Sequence, residues 1–246
     1  ISMSDKVLFI MPVYNKEEFL DKAIQSVLNQ THTNISLCII DDQSTDNSLS
    51  IANEYKKQDD RVSIYINEEN SGCYRTRNRG LLENKNKDWN FFTIHDPDDT
   101  SDKDRISYSL RFFKDPNLLG LKTTFTKVNR KGEPQLRVGT NDIETNPSEG
   151  IAIFRRSVFD KIGYYDDTRF SGDTDYWWRL EYFCNANAPF TSASCLKSMY
   201  QALSHENNLT KIYDFKTDRP KYFQKSLNEI RSKMIPENNF YREAVT

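Results

Sequence analysis

Short apolar runs alternate with amphipathic segments through the first 95 residues of the chain. The runs have the length of strands, and the unbroken ones are typical of strands buried on both faces of a sheet. The predicted strands span residues 7–11, 37–40, 62–66 and 91–94. Apolar residues at helical spacing predict helices over about 15–28, 44–55 and 72–83. Asn15, with Glu18 three residues later, indicates a capped start for the first helix.

This alternation of strands and helices predicts an α/β fold, with helices on both faces of a parallel sheet. In such sheets ligands collect beyond the carboxyl ends of the strands. Polar residues stand at all four of those ends: Pro12 to Asn15, Asp41-Asp42, Asn70 and Asp96 to Asp99. We therefore expect these four clusters to converge on one crevice.

The second half of the chain has a less regular pattern. Lys127 to Pro147 is polar and rich in turn residues, which predicts a loop. The remaining predicted elements are a strand at 151–154, a short helix at 157–162 and an aromatic helix at 176–183. From Lys211 the charge and amide content rise, so we predict one domain over 1–210 and a peripheral helical extension over 211–246.

Composition narrows the class of protein. Hydrophobic residues make up 37% of the chain and aromatic residues 13%, which a disordered chain would not carry. The formal net charge of −2 argues against a nucleic-acid partner, because such binders need a basic excess. Four cysteines without a close pair, and no apolar stretch near the length of a membrane span, predict a reducing, cytoplasmic location.

The segment Asp96-Pro97-Asp98-Asp99 places three carboxylates in four residues. These charges repel one another unless a cation sits among them, and Mg²⁺ or Mn²⁺ is the usual solution for oxygen ligands. At a strand end, such an ion can bridge a diphosphate and stabilise a departing phosphate. The alternative is a solvated acidic turn shaped by Pro97.

Two other polar segments fit nucleotide binding. Asp42 can accept hydrogen bonds from a base or ribose, although a helix-capping acidic loop is the alternative. Arg75, Arg77 and Arg79 alternate in sequence, so they cannot share one face of a helix. One arginine near phosphate oxygens would suit the chemistry, with the others solvated.

Asp173 and Asp175 lie beside a block of aromatic residues that ends in Trp177 and Trp178. Sugars pack against aromatic faces, and a carboxylate in a partly apolar setting suits a general base for a sugar hydroxyl. The alternative is a capped helix whose tryptophans enter the core, and both hold if Asp173 faces the crevice. His205, His32 and His95 are lone histidines, which are more often ordinary structural or surface residues than ligands.

Together these segments resemble the family 2 glycosyltransferases of the GT-A fold, over roughly residues 5 to 210. The matching pieces occur in the family's order: 11–15, 26–31, 41–46, 70–72, 77–80, 96–99, 162–166 and 172–173. The resemblance implies a Rossmann-like, mostly parallel central sheet flanked by helices. It also implies an inverting transfer from a UDP-sugar to a glycan or lipid-linked acceptor, in the synthesis of capsule, lipopolysaccharide or another surface glycan. Peripheral association with the inner face of the membrane is compatible with this role.

The resemblance also implies a role for each matching residue. Nucleotide-sugar binding falls to Pro12, Val13, Tyr14, Asn15, Asp42, Asn70, Arg77, Asp96 and Asp98. Asp96 and Asp98 match the family's DxD motif, with Asp98 in direct contact with Mn²⁺ or Mg²⁺. Asp173 matches the catalytic base. His205 lies where some relatives place a late histidine that contacts the metal or diphosphate.

One departure and two rival functions remain open at this level. Many relatives have Glu-Asp where this chain has Gly172-Asp173, so a contact of that glutamate is in doubt. A sugar nucleotidyltransferase would share a related sheet, but it usually has a Gly-rich phosphate loop where this chain has Pro12 to Asn15. A non-catalytic carbohydrate-binding scaffold is the third reading, against which the retained aspartates argue.

Overall fold

The computed structural model describes residues 5–206, 220–222, 224, 225 and 228. Within them a mixed sheet of eight strands is flanked by helices. The strands are β1 Val7–Val13, β2 Ile35–Asp41, β3 Val62–Ile66, β4 Phe91–Ile94, β5 Thr100–Ser101, β6 Leu118–Val128, β7 Thr145–Arg155 and β8 Thr191–Leu203. The helices are α1 Leu20–Leu28, α2 Ser48–Gln58, α3 Cys73–Glu83, α4 Arg105–Leu110, α5 Val158–Ile162 and α6 Gly172–Ala186, with a 3₁₀ turn at Arg111–Lys114.

The first half of the chain forms the parallel part of the sheet, in the order β3-β2-β1-β4. This arrangement confirms the predicted alternation of strands and helices. β1 is buried along its whole length because helices cover both of its faces. The carboxyl ends of β1, β2 and β4 therefore open on the same edge, as expected for parallel strands.

The second half continues the sheet with mainly antiparallel pairs. β7 pairs antiparallel with β4 and with β6, and β8 then pairs parallel with β6 and antiparallel with β5. The predicted loop at 127–147 is shorter than expected, because β6 runs to Val128 and β7 begins at Thr145. Strands β6 and β8 were not predicted, since neither has an unbroken apolar run as clear as that of β1.

Alternate residues of β1 enter two separate cores, one on each face of the sheet. Val7, Phe9 and Met11 pack in the core that α1, α2 and α4 cover. Leu8 and Ile10 pack in the core that α3, α5 and α6 cover. Successive strand residues point to opposite faces, so an apolar run is the sequence form of a strand with helices on both sides.

The predicted cap of the first helix is wrong. Helix α1 begins at Leu20, with Phe19 as its N-cap residue and no side-chain cap. Asn15 instead adopts a left-handed conformation with φ 49°, and its Oδ1 accepts a hydrogen bond of 2.7 Å from the backbone N–H of Thr45. The amide therefore joins the loop after β1 to the loop after β2.

The predicted helical extension at 211–246 lies largely outside the described residues. Of that range, the structure describes 220–222, 224, 225 and 228, all helical. There Tyr222 donates a hydrogen bond of 3.1 Å to Asp166 and packs against the ring of Phe170. Among the residues that the structure describes, no helix has the length and apolar character needed to cross a bilayer.

Candidate active site

Strained backbone marks the edge of the sheet where the polar clusters meet. Three residues other than glycine have positive φ in the described chain: Asn15 (49°), Gln43 (64°) and Ser171 (55°). Asn15 follows β1, Gln43 follows β2, and Ser171 precedes the first residue of α6. Such conformations cost about 1–3 kcal/mol each and tend to cluster at functional sites.

Asp42 fixes the start of α3 beside the end of β2. Its two carboxylate oxygens accept backbone hydrogen bonds from Ser71 and Gly72, both of 2.8 Å. The side chain of Asn67 donates a third bond of 2.7 Å, and Asp42 is buried. Asn70 donates from its amide to the backbone oxygen of Asp42 at 3.1 Å. The loop after β3 is thus tied to the end of β2.

The segment Pro12 to Asn15 lies against the loop after β2. Pro12 and Val13 are buried, and the oxygen of Val13 accepts a bond of 2.7 Å from the N–H of Asp42. Tyr14 and Asn15 are exposed. The predicted nucleotide-binding residues at the ends of β1, β2 and β3 are therefore close neighbours.

Asp98 lies between two nitrogen groups. Its Oδ2 is 2.6 Å from Nζ of Lys16 and 2.7 Å from Nε2 of His205. Burial raises the pKa of Asp98, but the bond from His205 and the charge of Lys16 outweigh it, so the pKa lies below its ordinary value. His205 is buried and stacks on Phe19 at 4.8 Å between ring centroids. The structure thus brings together Asp98 and His205, which lie far apart in sequence.

Of the three alternating arginines, Arg77 is the one that contacts a carboxylate of the segment Asp96 to Asp99. Its Nη2 is 3.3 Å from Oδ1 of Asp96, while its Nε and Nη1 are buried without a hydrogen-bond partner in the described chain. Arg75 pairs with Asp167 on the outside, and Arg79 bonds to the backbone oxygen of Ile66. The prediction that they cannot share a face is confirmed.

Asp96 belongs to this charged group, but its pKa shifts in the opposite direction to that of Asp98. Burial raises the pKa of Asp96 above its ordinary value, against the opposing charge of Arg77. Its backbone N–H donates to the hydroxyl of Tyr200 on β8 at 3.1 Å. The neighbouring Asp99 is buried and accepts a bond of 2.8 Å from the N–H of Leu203. Asp99 therefore has a structural contact with β8.

Asp173 stands at the start of α6, next to this group. Its Oδ1 accepts a hydrogen bond of 2.9 Å from the hydroxyl of Tyr74, and the ring of Tyr74 lies under the guanidinium of Arg77 at 4.9 Å. Trp177 is buried in the core, while Asp173 is partly exposed. Trp177 therefore enters the core as one interpretation predicted, and the assignment of Asp173 as a general base stays a prediction.

Several residues of the site were missed from the sequence. Lys16 follows the turn after β1, and Tyr74 stands three residues before Arg77 on one face of α3, so helical spacing could have indicated it. Tyr200 and Gly150 come from strands remote in sequence. Nothing in a local pattern joins them to Asp96 or Asp173.

The donor set fits a divalent cation that arrives with a diphosphate. Asp98 and His205 supply one carboxylate and one imidazole, and no three His, Cys, Asp or Glu side chains of the described residues form a cage. Mg²⁺ and Mn²⁺ commonly take one or two carboxylates and complete their shell with phosphate oxygens and water. Lys16 must leave Oδ2 of Asp98 for an ion to bind there.

Solved structures with the same architecture define the fold as GT-A. Residues 1–349 of TarS from S. aureus, in complex with UDP-GlcNAc, superpose with a TM-score of 0.69 at 21% identity, over 92% of this chain and 66% of that one. A mannosyltransferase from Pyrobaculum calidifontis, in complex with GDP-Man and Mn²⁺, gives 0.66 at 12% identity, over 92% and 64%. The predicted fold class is confirmed.

The chain belongs to glycosyl transferase family 2, whose model matches residues 8–163. Glycosyltransferase GlyA of Streptococcus pneumoniae is 38% identical over 67% of this chain and 22% of its own length. The minor teichoic acid biosynthesis protein GgaB of Bacillus subtilis is 36% identical over 42% of this chain and 11% of its own length. The chain spans about a fifth of the length of the first curated relatives that it matches.

Proposed function

We propose that this chain transfers a sugar from a UDP-sugar to a hydroxyl of a glycan or lipid-linked acceptor, with inversion at the anomeric carbon, in surface polysaccharide synthesis. One observation carries the proposal: Asp96 is linked to Asp173 through Arg77 and Tyr74, and Asp98, two residues after Asp96, interacts with it electrostatically. Family membership supports glycosyl transfer as the reaction class.

The donor side is formed by the loops after β1, β2 and β3. Pro12 to Asn15, Asp42 and Asn70 surround the place proposed for uracil and ribose. UDP rather than GDP is proposed because TarS was solved with UDP-GlcNAc, although the mannosyltransferase holds GDP-Man. Arg77 keeps unpaired N–H groups beside Asp96, and these suit an anionic diphosphate.

Asp98 and His205 would hold Mn²⁺ or Mg²⁺, which stabilises negative charge on the diphosphate when bound. The mannosyltransferase contains Mn²⁺, which supports a metal in the same role here. Lys16 can deliver a positive charge to the same place, because its ammonium already reaches Oδ2 of Asp98 at 2.6 Å.

The chemical step needs one base and one leaving group. Asp173 takes the proton of the acceptor hydroxyl while the hydroxyl oxygen forms a bond to the anomeric carbon. The bond from that carbon to the phosphate oxygen breaks, and UDP leaves with the electron pair. Attack from the face opposite UDP converts an α-linked donor into a β-linked product.

Purified protein should release UDP from one member of a panel of UDP-sugars in the presence of Mn²⁺ and a glycan acceptor. Asp173→Asn should lower the rate by at least about 100-fold, because general-base catalysis contributes 10²–10⁴-fold. UDP binding by the variant, measured by calorimetry, should stay within about twofold of wild type, since Asp173 lies on the acceptor side.

Transfer by Asp173→Asn near the wild-type rate would remove Asp173 as the base. Release of pyrophosphate from UTP and a sugar phosphate would instead indicate a nucleotidyltransferase. Carbohydrate binding without release of any nucleotide would indicate a scaffold. Lys57→Met, which removes one partner of an exposed ion pair on α2, is the matched control that should retain full activity.

A further inference from the structure

We propose that Tyr74 is a positioning residue for Asp173, and that Gly172 stands before Asp173 because the ring of Tyr74 occupies the space a larger side chain would need. This inference rests on the proposed function, since it assigns how the proposed base is held.

The hydroxyl of Tyr74 is hydrogen-bonded to the carboxylate of Asp173. It donates to Oδ1 at 2.9 Å, and the backbone N–H of Thr174 donates to the same oxygen at 3.0 Å. Tyr74 is buried, with 7% of its surface exposed. Burial, and then the charge of Asp173, raise the pKa of Tyr74 well above its ordinary value, so the phenol keeps its proton and donates.

The ring of Tyr74 packs directly against Gly172. A Cβ at this position would lie 2.9 Å from Cδ1 and 3.0 Å from Cγ of Tyr74, and 3.0 Å from Cγ2 of Thr168. The distance to Cδ1 is shorter than real Cβ atoms show, and the other two require the neighbouring atoms to move by a few tenths of an ångström. A side chain at 172 would therefore push on the ring whose hydroxyl binds Asp173.

The arrangement also selects which oxygen of Asp173 reacts. Oδ1 already accepts two hydrogen bonds, so Oδ2 is the atom left for the proton of the acceptor. A Cβ at Gly150 of β7 would lie 2.9 Å from Oδ2. The glycine keeps the space beside this oxygen clear.

Tyr74 further links the base to the donor side. It stands in the first turn of α3, whose start is held by the bonds from Ser71 and Gly72 to Asp42. Arg77 lies over its ring one turn later. The groups that interact electrostatically with Asp173 include Tyr74, Cys73, Tyr165 and Asp96, which come from α3, the loop before α6 and the turn after β4.

Tyr74→Phe should lower kcat about 10- to 100-fold, the range expected for one hydrogen bond to a charged group, with the donor KM within about twofold. The acidic limb of the kcat–pH profile should move to higher pH, because a hydrogen bond to an ionised carboxylate favours the ionised form. A residue with a merely structural role would leave this limb in place.

Tyr55→Phe is the matched control. Tyr55 also donates from its hydroxyl to an aspartate, to Oδ1 of Asp21 at 2.6 Å, but this bond joins α2 to α1 rather than lying at the site. Loss of the Tyr55 hydroxyl should leave kcat and the pH profile unchanged. Gly172→Ala should reproduce the effect of Tyr74→Phe, because the added methyl displaces the ring, and the double variant should lose little more than either single one.

A kcat and pH profile for Tyr74→Phe equal to those of Tyr55→Phe would overturn the proposal. A double-mutant cycle of Tyr74→Phe with Asp173→Asn in urea unfolding tests the contact without turnover. If Tyr74 and Asp173 are coupled in unfolding but the wild type releases no nucleotide, the proposed function has failed and the contact between the two residues stands. If the enzyme is active but the two residues are not coupled, the role of Tyr74 is refuted and the proposed function stands.

Discussion

At the scale of single residues, Lys16 is the least expected member of the site. Its ammonium lies on the carboxylate that the family resemblance gives to a metal, 2.6 Å from Oδ2 of Asp98. The same oxygen meets Nε2 of His205. Under the proposed function, the ammonium of Lys16 and a divalent ion would compete for this one oxygen, and Lys16 would then help to set the metal affinity.

Lys16→Met should raise the affinity for Mn²⁺ in the presence of UDP by roughly tenfold, because the ion no longer displaces a charged hydrogen bond of about 1.5 kcal/mol. Free Mn²⁺ can be followed by electron paramagnetic resonance during titration. Lys57→Met, on the surface of α2, should not change the affinity. A weaker affinity in Lys16→Met would instead mean that Lys16 helps to hold the diphosphate.

At the scale of elements, α6 contains two aspartates in different surroundings, one at the site and one in the core. Asp173 faces the site, whereas Asp175 is fully buried and accepts a bond of 3.0 Å from Nε of Arg179 one turn later. The Nη2 of Arg179 donates to the backbone oxygen of Tyr164 at 2.6 Å. The buried pair thus fixes α6 to the loop after α5 and sets where Asp173 stands.

Asp175→Asn should lower the free energy of unfolding by about 3 kcal/mol, because it leaves the guanidinium of Arg179 buried without a counter-charge. Asp173→Asn, the same change two residues earlier, should alter stability by less than about 1 kcal/mol because Asp173 is partly exposed. Urea denaturation of both variants measures the contrast. Equal losses would show that the pair of Asp175 and Arg179 does not hold α6 in place.

The sequence indicated the elements of the first half better than those of the second. Strand β1 could be predicted from five consecutive apolar residues, which occur there because helices cover both faces of the strand. Strand β8 mixes polar and apolar residues and is buried at only three of its thirteen positions, so its pattern did not separate it from a loop. Its residue Tyr200 could not be assigned to the site, since its bond to the N–H of Asp96 depends on strand pairing.

At the scale of the whole molecule, a buried neutral histidine makes the free energy of unfolding depend on pH. His95 follows β4 and is fully buried, and its Nδ1 donates to the backbone oxygen of Asp96 at 2.9 Å. Burial, and then the positive charge of Arg105, lower the pKa of His95 to about 3. Unfolding restores its ordinary pKa near 6.5, so the unfolded chain binds one more proton between these values.

Its contribution to stability is present above pH 6.5 and is lost as the pH falls toward 3. Between pH 7 and pH 5, wild type should lose about 2 kcal/mol more than His95→Asn, which cannot titrate. Urea unfolding at the two pH values gives this difference, and other acidic groups cancel in the comparison. Parallel losses in the two proteins would contradict a neutral His95.

The join between β4 and β7 separates two kinds of residues. The residues proposed to bind the nucleotide itself lie before residue 100, in the parallel half, while Asp173, Gly150 and the proposed metal ligand His205 come from the half that follows. Under the proposed function, mutations around Asp173 and Gly150 that spare His205 should change which molecule receives the sugar without changing which sugar nucleotide is used. Enzymes of this kind would then diversify their products by varying the surroundings of the base while keeping the nucleotide-binding half unchanged.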